Sequence, residues 1–245
     1  PGRWWDSLYT WDAGFIGIGL ADLDVERAID CLNAYVTAEG DRDAAFIHHG
    51  SPVPVQIYAF LELFNRTGSM DLAAYFFPRL AQYHRFLAGR HGSSTTRNLA
   101  SNLLRTWDYF YNSGGWDDYP PQMHVHKMKL TATVAPVSNT CHAIRTAKIL
   151  RMAALALGAD TQEFDDDIAM FTDAVQKHAW DAESGYFGYV CHGHSGRPEG
   201  ILRTRSGLNF NMGFDGAYPL VAGICTPGQQ ETLCGFLMSD RHMWC

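Results

Sequence analysis

The chain has 245 residues, of which 47 % are hydrophobic and 13 % aromatic, and its formal net charge is −7. This composition supports a sizeable core in one large domain or two small ones, and it excludes global disorder. The acidic balance, without any run of Lys or Arg, disfavours nucleic-acid binding, because contact with phosphates needs a basic surface. No apolar stretch is close in length to a membrane helix, which needs about 18 apolar residues, so we expect no membrane segment.

The ends of the chain resemble cuts through a longer protein. Residue 1 is Pro rather than Met and the sequence stops abruptly at Cys245, so we expect residues 1–245 to be part of one domain, truncated at both ends. No signal peptide is recognisable, and the sequence leaves the compartment open. The six cysteines are scattered without a CxxC pair, which disfavours a disulfide framework or a zinc ribbon and indicates buried free thiols.

Apolar residues at helical spacing predict seven helices. In chain order these helices cover residues 20–36, 53–64, 70–87, 98–110, 137–157, 161–180 and 227–237. Gly158 is expected to end the fifth helix and Thr226 to cap the last. Loops rich in Gly, Pro, His and Trp separate them, and only residues 186–190 predict a short strand. Without βαβ alternation, this pattern favours an all-α helical toroid with its site at one end.

The segment 113–120 contains two adjacent carboxylates, Asp117 and Asp118, between glycines and a proline. Trp116 and Tyr119 flank them. An aromatic wall lowers the local polarity, which raises the pKa of a carboxyl group and keeps it protonated as a general acid, and a second carboxylate adds to this by repulsion. The same pattern also fits an ordinary turn with Asp caps and structural aromatic residues.

The first fifteen residues hold three Trp, two Asp and one Arg. Asp and Arg beside an indole ring can bind sugar hydroxyls while the ring stacks on the sugar. Arg3, Trp11 and Asp12 are therefore candidates for substrate binding. The alternative is the start of a helix, with Asp12 near its positive N-terminal end.

Other catalytic patterns are weak or absent. His124, His126, His192 and His194 alternate in loops, and residues 48–49 are a His pair, but no HExxH or Cys/His spacing accompanies them. We therefore expect neither a catalytic metal nor a cofactor. The sequence also lacks Gly-x-Ser-x-Gly, Gly-x-Gly-x-x-Gly and P-loop motifs, which disfavours serine-hydrolase and nucleotide chemistry.

Residues 115–120, Gly-Trp-Asp-Asp-Tyr-Pro, resemble the Gly-Leu/Met/Trp-Asp-Asp-Tyr-Pro signature of glycoside hydrolase family 63. That family includes processing α-glucosidase I and its bacterial relatives, and the related trehalases carry a similar segment. In both groups the first Asp is the general acid. The resemblance therefore implies that Asp117 is the acid.

Further segments match the family in its order along the chain. Residues 11–15 resemble a Trp-Asp segment whose Asp contacts the terminal sugar, and residues 1–3 are similar to a trehalase signature that supplies an Arg. Residues 50–56 resemble a Ser-Gln-Pro-Pro segment, with Gln56 displaced. Residues 137–139 are similar to a Val-Asp-Leu-Asn segment, with Ser where an Asp is common.

The segment 180–187 resembles a Trp-Asp-Glu-x-x-Gly-Phe turn, which makes Glu183 a turn residue rather than a catalyst. Together these resemblances imply a set of substrate-binding residues beside Asp117, namely Arg3, Trp11, Asp12, Gln56, Trp116, Asp118 and Tyr119.

The family fold is an (α/α)6 barrel of twelve helices, of which this chain has room for about seven or eight at ordinary helix and loop lengths. The resemblance implies an inverting, exo-acting α-glycosidase, similar to an α-glucosidase, whose partner is an oligosaccharide or a small α-glycoside. Its general base is a Glu, and none of the seven Glu residues here matches the base motif. We therefore expect the base to lie outside this chain, on a missing segment of the barrel or on another chain.

Three alternatives stay open. The chain can belong to a carbohydrate-binding helical barrel that has lost catalysis, or to a trehalase-type or other α-glycoside hydrolase. The third alternative is another helical-toroid enzyme such as a cyclase, which a metal at His124, His126 or His192 would support.

Overall fold

The structure, a computed structural model, describes residues 10–43, 53–91, 99–105 and 118–242. Within these ranges the chain is mainly helical. The α-helices are α1 (Thr10–Leu20), α2 (Val25–Asn33), α3 (Val55–Thr67), α4 (Met70–Leu87), α5 (Pro120–Lys127), α6 (Val137–Leu157), α7 (Gln162–His178), α8 (Tyr218–Val221) and α9 (Pro227–Leu237). None of these helices is long and apolar enough to cross a membrane. A 3-10 helix, Phe214–Ala217, leads directly into α8.

Five short strands lie between the helices. They are β1 (Val134–Ala135), β2 (Trp180–Asp181), β3 (Tyr186–Phe187), β4 (Val190–His192) and β5 (Pro198–Ile201). An antiparallel sheet has the strand order β1-β4-β5, and β2 pairs with β3 in a hairpin. Because β1 pairs with β4 and directly precedes α6, these strands place the connection between α7 and α8 beside the start of α6.

Local side-chain chemistry sets several helix ends. Side-chain oxygens accept hydrogen bonds from backbone N–H groups at the starts of α2, α4 and α9, where the capping residues are Asp24, Ser69 and Thr226. Helices α3 and α6 end at Gly68 and Gly158, which adopt the left-handed conformation that glycine tolerates best. The predicted helices at 53–64, 70–87, 137–157, 161–180 and 227–237 correspond to α3, α4, α6, α7 and α9, with bounds that differ by at most three residues.

Two predicted helices differ from the structure. The helix expected over 20–36 is interrupted, because α1 ends at Leu20 and Asp24 caps a new helix that begins at Val25. The helix expected over 98–110 is wrong for its described part, since residues 99–105 form a turn and irregular chain. There the Ser101 hydroxyl accepts from the Leu103 amide, a local bond that competes with a helix. Residues 98 and 106–110 lie outside the described residues.

Helix α6 lies at the centre of the core. One cluster of buried side chains joins it to α2, α3 and α4, with Phe60, Phe76 and Leu150 among its members. A second cluster joins α6 to α7, α8 and β3, and includes Ile144 and Phe171. The helical class predicted from the sequence is therefore confirmed, while the closed ring of twelve helices stays a prediction.

A buried polar network also joins three helices of this core. The imidazole of His84 on α4 lies 2.7 Å from Thr146 Oγ1 on α6 and 2.8 Å from Asp167 Oδ2 on α7. The guanidinium of Arg90 forms an ion pair with the same carboxylate, which satisfies a charge that would otherwise be costly to bury.

Candidate active site

The structure describes five of the eight site residues proposed from the sequence. Trp11, Asp12, Gln56, Asp118 and Tyr119 are described, whereas Arg3, Trp116 and Asp117 lie outside the described residues. The described residues form two groups, one where α1 meets α3 and one at the start of α5.

The first group depends on a close approach of α1 to α3. A Cβ atom on Gly14 would lie 2.4 Å from Val55 Cγ1, so the helices can pack at this distance only because residue 14 is glycine. The next residue along α3, Gln56, is 2 % exposed and donates a hydrogen bond from Nε2 to the carbonyl oxygen of Thr10. The structure thus brings Gln56 to the residue that precedes Trp11 and Asp12.

Trp11 and Asp12 differ in environment. Trp11 is partly buried and its indole packs edge-on against the Phe15 ring, with 5.3 Å between ring centroids. Asp12 is exposed in the first turn of α1, which agrees with a helix start in which a carboxylate lies near the positive end. A sugar-binding role for either residue stays a prediction.

The second group begins with Asp118 and Tyr119. Asp118 is exposed and has a φ of 57°, in the left-handed region that Asp tolerates better than most residues. Tyr119 occupies the N-cap position of α5 and donates a hydrogen bond from its hydroxyl to Asn211 Oδ1 at 2.6 Å. Burial raises the pKa of Tyr119, and the negative charge of Asp215 raises it further.

Asp215 is the main site residue that the sequence did not reveal. Its side chain is fully buried, and one carboxylate oxygen accepts hydrogen bonds from Tyr189, Gln122 and Ser138. Nothing in its sequence context, Gly-Phe-Asp-Gly, distinguishes it from a turn aspartate. Its partners lie 26 to 93 residues away in the sequence, so only the folded chain reveals the cluster.

The N-terminal half of α6 connects the two groups. Ser138 Oγ donates to Asp215, and one turn later the imidazole Nδ1 of His142 lies 2.9 Å from the hydroxyl of Tyr58 on α3. Between them, Asn139 Nδ2 donates to the carbonyl oxygen of Arg105. Helix α3, which carries Gln56, and the 3-10 helix that carries Asp215 are therefore both bonded to the first turns of α6.

Three buried polar atoms in this region have no hydrogen-bond partner within the described part of the chain. They are Gln56 Oε1, Asn139 Oδ1 and His142 Nε2. Burial lowers the pKa of His142 to about 3, and the Arg145 charge acts in the same direction, so the ring is neutral at neutral pH. Amide oxygens and a neutral imidazole are suited to binding hydroxyl groups by hydrogen bonds.

Of the histidines singled out in the sequence, His124 and His126 lie in the last turn of α5. His192 is buried beside Ser101 and the Thr133 carbonyl, and among the described residues no group of three His, Cys, Asp or Glu could hold a metal ion. The predicted turn at Glu183 is confirmed, and its carboxylate forms an ion pair with Arg203. The His pair at 48–49 lies outside the described residues.

Comparison with known proteins identifies relatives. The sequence model of the mannosylglycerate hydrolase MGH1-like glycoside hydrolase domain matches residues 6–244. A comparison with curated proteins gave no match.

Solved structures with a similar fold include the GH63 mannosylglycerate hydrolase from Thermus thermophilus. In its complex with Tris and D-glycerate the TM-score is 0.61 at 18 % identity, over 94 % of this chain and 70 % of that chain. In its complex with glucose the TM-score is 0.58 at 19 % identity, with the same coverage of 94 % and 70 %. A GH78 family rhamnosidase from a Bacillus species also matches, with a TM-score of 0.61 and 18 % identity over 93 % of this chain and 22 % of that chain.

At these identities the solved structures establish similarity of fold alone. The family match covers nearly the whole sequence and confirms the resemblance to glycoside hydrolase family 63. The chain therefore belongs to the mannosylglycerate hydrolase MGH1-like glycoside hydrolase domain family.

Proposed function

We propose that the protein is an inverting, exo-acting hydrolase of α-linked glycosides, with Asp117 as its general acid and a Glu outside these 245 residues as its general base. The observation that carries this proposal is the anchoring of the segment that follows Asp117. Tyr119 is hydrogen-bonded to Asn211, and Gln122, in the first turn of α5, is hydrogen-bonded to a buried carboxylate, Asp215. A general acid needs such a fixed support, because proton transfer depends on precise placement.

In the proposed mechanism Asp117 protonates the glycosidic oxygen as the bond to the leaving sugar breaks. The Glu activates a water molecule on the opposite face of the ring, and the attack inverts the anomeric carbon. In inverting enzymes the two carboxyl groups are separated by roughly 6.5–9.5 Å, which leaves room for that water.

The Glu residues of this chain have other environments, which supports a base elsewhere. Glu62, Glu163 and Glu183 form ion pairs with arginines. Glu26 and Glu231 lie on α2 and α9, and the others, Glu39 and Glu199, are exposed in a loop and on β5. An arginine-paired carboxylate is stabilised in its role as an ion-pair partner rather than as a base for water.

We propose that the first group of residues binds the terminal sugar. Gln56 has a buried oxygen free for a hydroxyl donor, and Asp12 and Trp11 follow its contact with Thr10 along α1. Arg3, Trp116, Asp118 and Tyr119 complete the proposed substrate-binding set.

The proposal includes further helices beyond the described ones, from another segment of the barrel or from another chain. Helix α1 supports it, since Phe15 is 50 % and Ile16 is 57 % exposed on adjacent positions. Large apolar side chains exposed side by side often mark a surface that packs against another part of an assembly.

The substrate is one of two α-linked classes. The motif resemblance favours neutral α-glucosides, whereas the family description favours mannosylglycerate, which carries a carboxylate. Mannosylglycerate is negatively charged and an α-glucoside is neutral, so only a site for mannosylglycerate needs a cationic side chain.

A panel assay tests the proposed function. The complete enzyme is incubated with α-linked glucose disaccharides, trehalose and mannosylglycerate, and proton NMR follows the anomer that appears first. We expect cleavage of at least one α-glycoside with initial release of the β-anomer. Initial release of the α-anomer would contradict inversion, and binding without cleavage of any member would favour a carbohydrate-binding barrel.

A further inference from the structure

Asp215 lies at the meeting point of three structural elements. The carboxylate is 0 % exposed. Its Oδ2 accepts from Tyr189 Oη at 2.5 Å, from Gln122 Nε2 on α5 at 3.2 Å and from Ser138 Oγ on α6 at 3.3 Å. Gln122 also donates to the Tyr189 hydroxyl at 3.0 Å, so the donors are bonded to one another as well.

The segment that carries Asp215 also contacts the start of α5 at a second point. The Tyr119 hydroxyl donates to Asn211, and a Cβ on Gly213 would lie 2.5 Å from that hydroxyl, so the ring packs closely on the chain. Asn211 is itself fully buried and donates to the Phe187 carbonyl oxygen. The 211–215 segment therefore contacts α5 at Tyr119 and at Gln122, on either side of its two prolines.

The proline pair makes these two contacts effective. Pro120 and Pro121 occupy the first turn of α5, where a fixed φ suits a helix start and no N–H is lost. Because the two proline rings fix their φ angles, the position of Gln122 constrains the position of Tyr119. Asp118 and then Asp117 precede Tyr119 in the chain, so the anchor lies immediately beside the proposed acid.

We propose that Asp215 is a positioning residue, whose buried carboxylate holds α5 and Tyr119 in place and thereby sets the orientation of the segment that bears the general acid. The proposal rests on the proposed function of Asp117. Asp215 has no exposed surface and accepts hydrogen bonds from Tyr189, Gln122 and Ser138, so it acts through α5 and Tyr119 rather than on the substrate.

A misplaced general acid has a recognisable kinetic effect. Protonation matters most when the leaving group is an alkoxide, the hydroxyl oxygen of a sugar or of glycerate, because an alkoxide leaves poorly. It matters little when the leaving group is fluoride, which departs without a strong acid. A loss of positioning should therefore slow a disaccharide much more than the glycosyl fluoride of the same sugar, whereas general unfolding slows both equally.

The test compares Asp215→Asn with wild type in the complete enzyme. The substrates are the best disaccharide or mannosylglycerate from the panel and the α-glycosyl fluoride of the same sugar. We expect kcat for the disaccharide or mannosylglycerate to fall about 10- to 100-fold, with KM changed little. A small displacement of a catalytic group lowers the rate by about this factor. We expect kcat for the fluoride to fall less than about 3-fold, since fluoride departs without help from the general acid.

Matched variants separate the outcomes. Asp167→Asn changes a buried carboxylate in the distant His84 network and should lower both rates equally, if at all. Gln122→Met keeps the side-chain volume and removes one donor to Asp215, so it should reproduce the selective loss even if Asp215→Asn does not fold.

Equal losses on both substrates in Asp215→Asn, or a Gln122→Met enzyme without selectivity, would overturn the proposal. Asp117→Asn distinguishes this failure from failure of the proposed function. If Asp117→Asn slows the glycoside much more than the fluoride and Asp215→Asn does not, only the positioning role fails. If Asp117→Asn slows both substrates equally, the assignment of Asp117 as the general acid fails.

Discussion

His142 shows how a single buried residue makes the stability of the fold depend on pH. Its ring is enclosed, packs edge-on against Tyr218 at 4.6 Å between centroids, and contacts the Tyr58 hydroxyl. A charge on this ring would lack solvent, which is why burial lowers its pKa to about 3 from 6.5. The sequence offers no sign of this, because His142 stands in a helix with no second His or carboxylate at helical spacing.

The resulting prediction concerns stability in mild acid. The unfolded chain binds the proton of His142 first, so its contribution to stability is complete above about pH 6.5 and is lost progressively towards about pH 3. Between about pH 7 and about pH 5 this residue alone should lower the free energy of unfolding by about 2 kcal/mol. Urea unfolding of wild type and His142→Gln at several pH values measures it, with the variant showing the flatter profile. Parallel profiles would show that His142 titrates normally in the folded state.

At the scale of elements, the helices that the sequence predicted best are those with clear end signals. Helix α4 covers the predicted 70–87, and Gly158 ends α6 as expected. Helix α5 was missed because its Pro-Pro start and two His residues resemble a loop, although proline is well tolerated in the first turn. Strand β3 lies inside the predicted strand at 186–190 and β4 overlaps it at Val190. The other three strands were missed, since two- to four-residue strands carry too few residues for a period to appear.

The packing of α1 on α3 gives a prediction with an internal control. Gly14→Ala places a methyl group 2.4 Å from Val55 Cγ1, so the helices must move apart. We expect a loss of about 1–3 kcal/mol in the free energy of unfolding, typical of overpacking. On the same helix nothing lies within 4 Å of a Cβ on Gly19, so Gly19→Ala should instead stabilise by up to about 1 kcal/mol through helix propensity.

Thermal or urea unfolding of both variants checks this contrast. Because Gln56 follows Val55 and is bonded to Thr10, the Gly14→Ala variant should also weaken substrate binding in the complete enzyme. Equal stability of the two variants would contradict the close approach of α1 and α3.

At the scale of the whole molecule, the sequence predicts the candidate site residues, whereas the contacts that hold them together are visible only in the fold. The family motifs occur in order along the chain, and this order indicates Asp117, Asp12 and Gln56 as site residues from the sequence alone. The support for Asp117 could not be predicted, because Asp215 and Gln122 are 93 residues apart and neither belongs to a motif. Contacts of this kind depend on how α5, α6 and the 211–215 segment pack, which local patterns do not encode.

The proposed function depends above all on Asp117 as the general acid of an α-glycoside hydrolase. The most direct measurement is kcat of Asp117→Asn, in the complete enzyme, on its best α-linked substrate and on the glycosyl fluoride of the same sugar. We expect a loss of about 10²- to 10⁴-fold on the glycoside, because the general acid is removed, while hydrolysis of the fluoride is largely retained. Hydrolysis of the glycoside at a rate near wild type would contradict it.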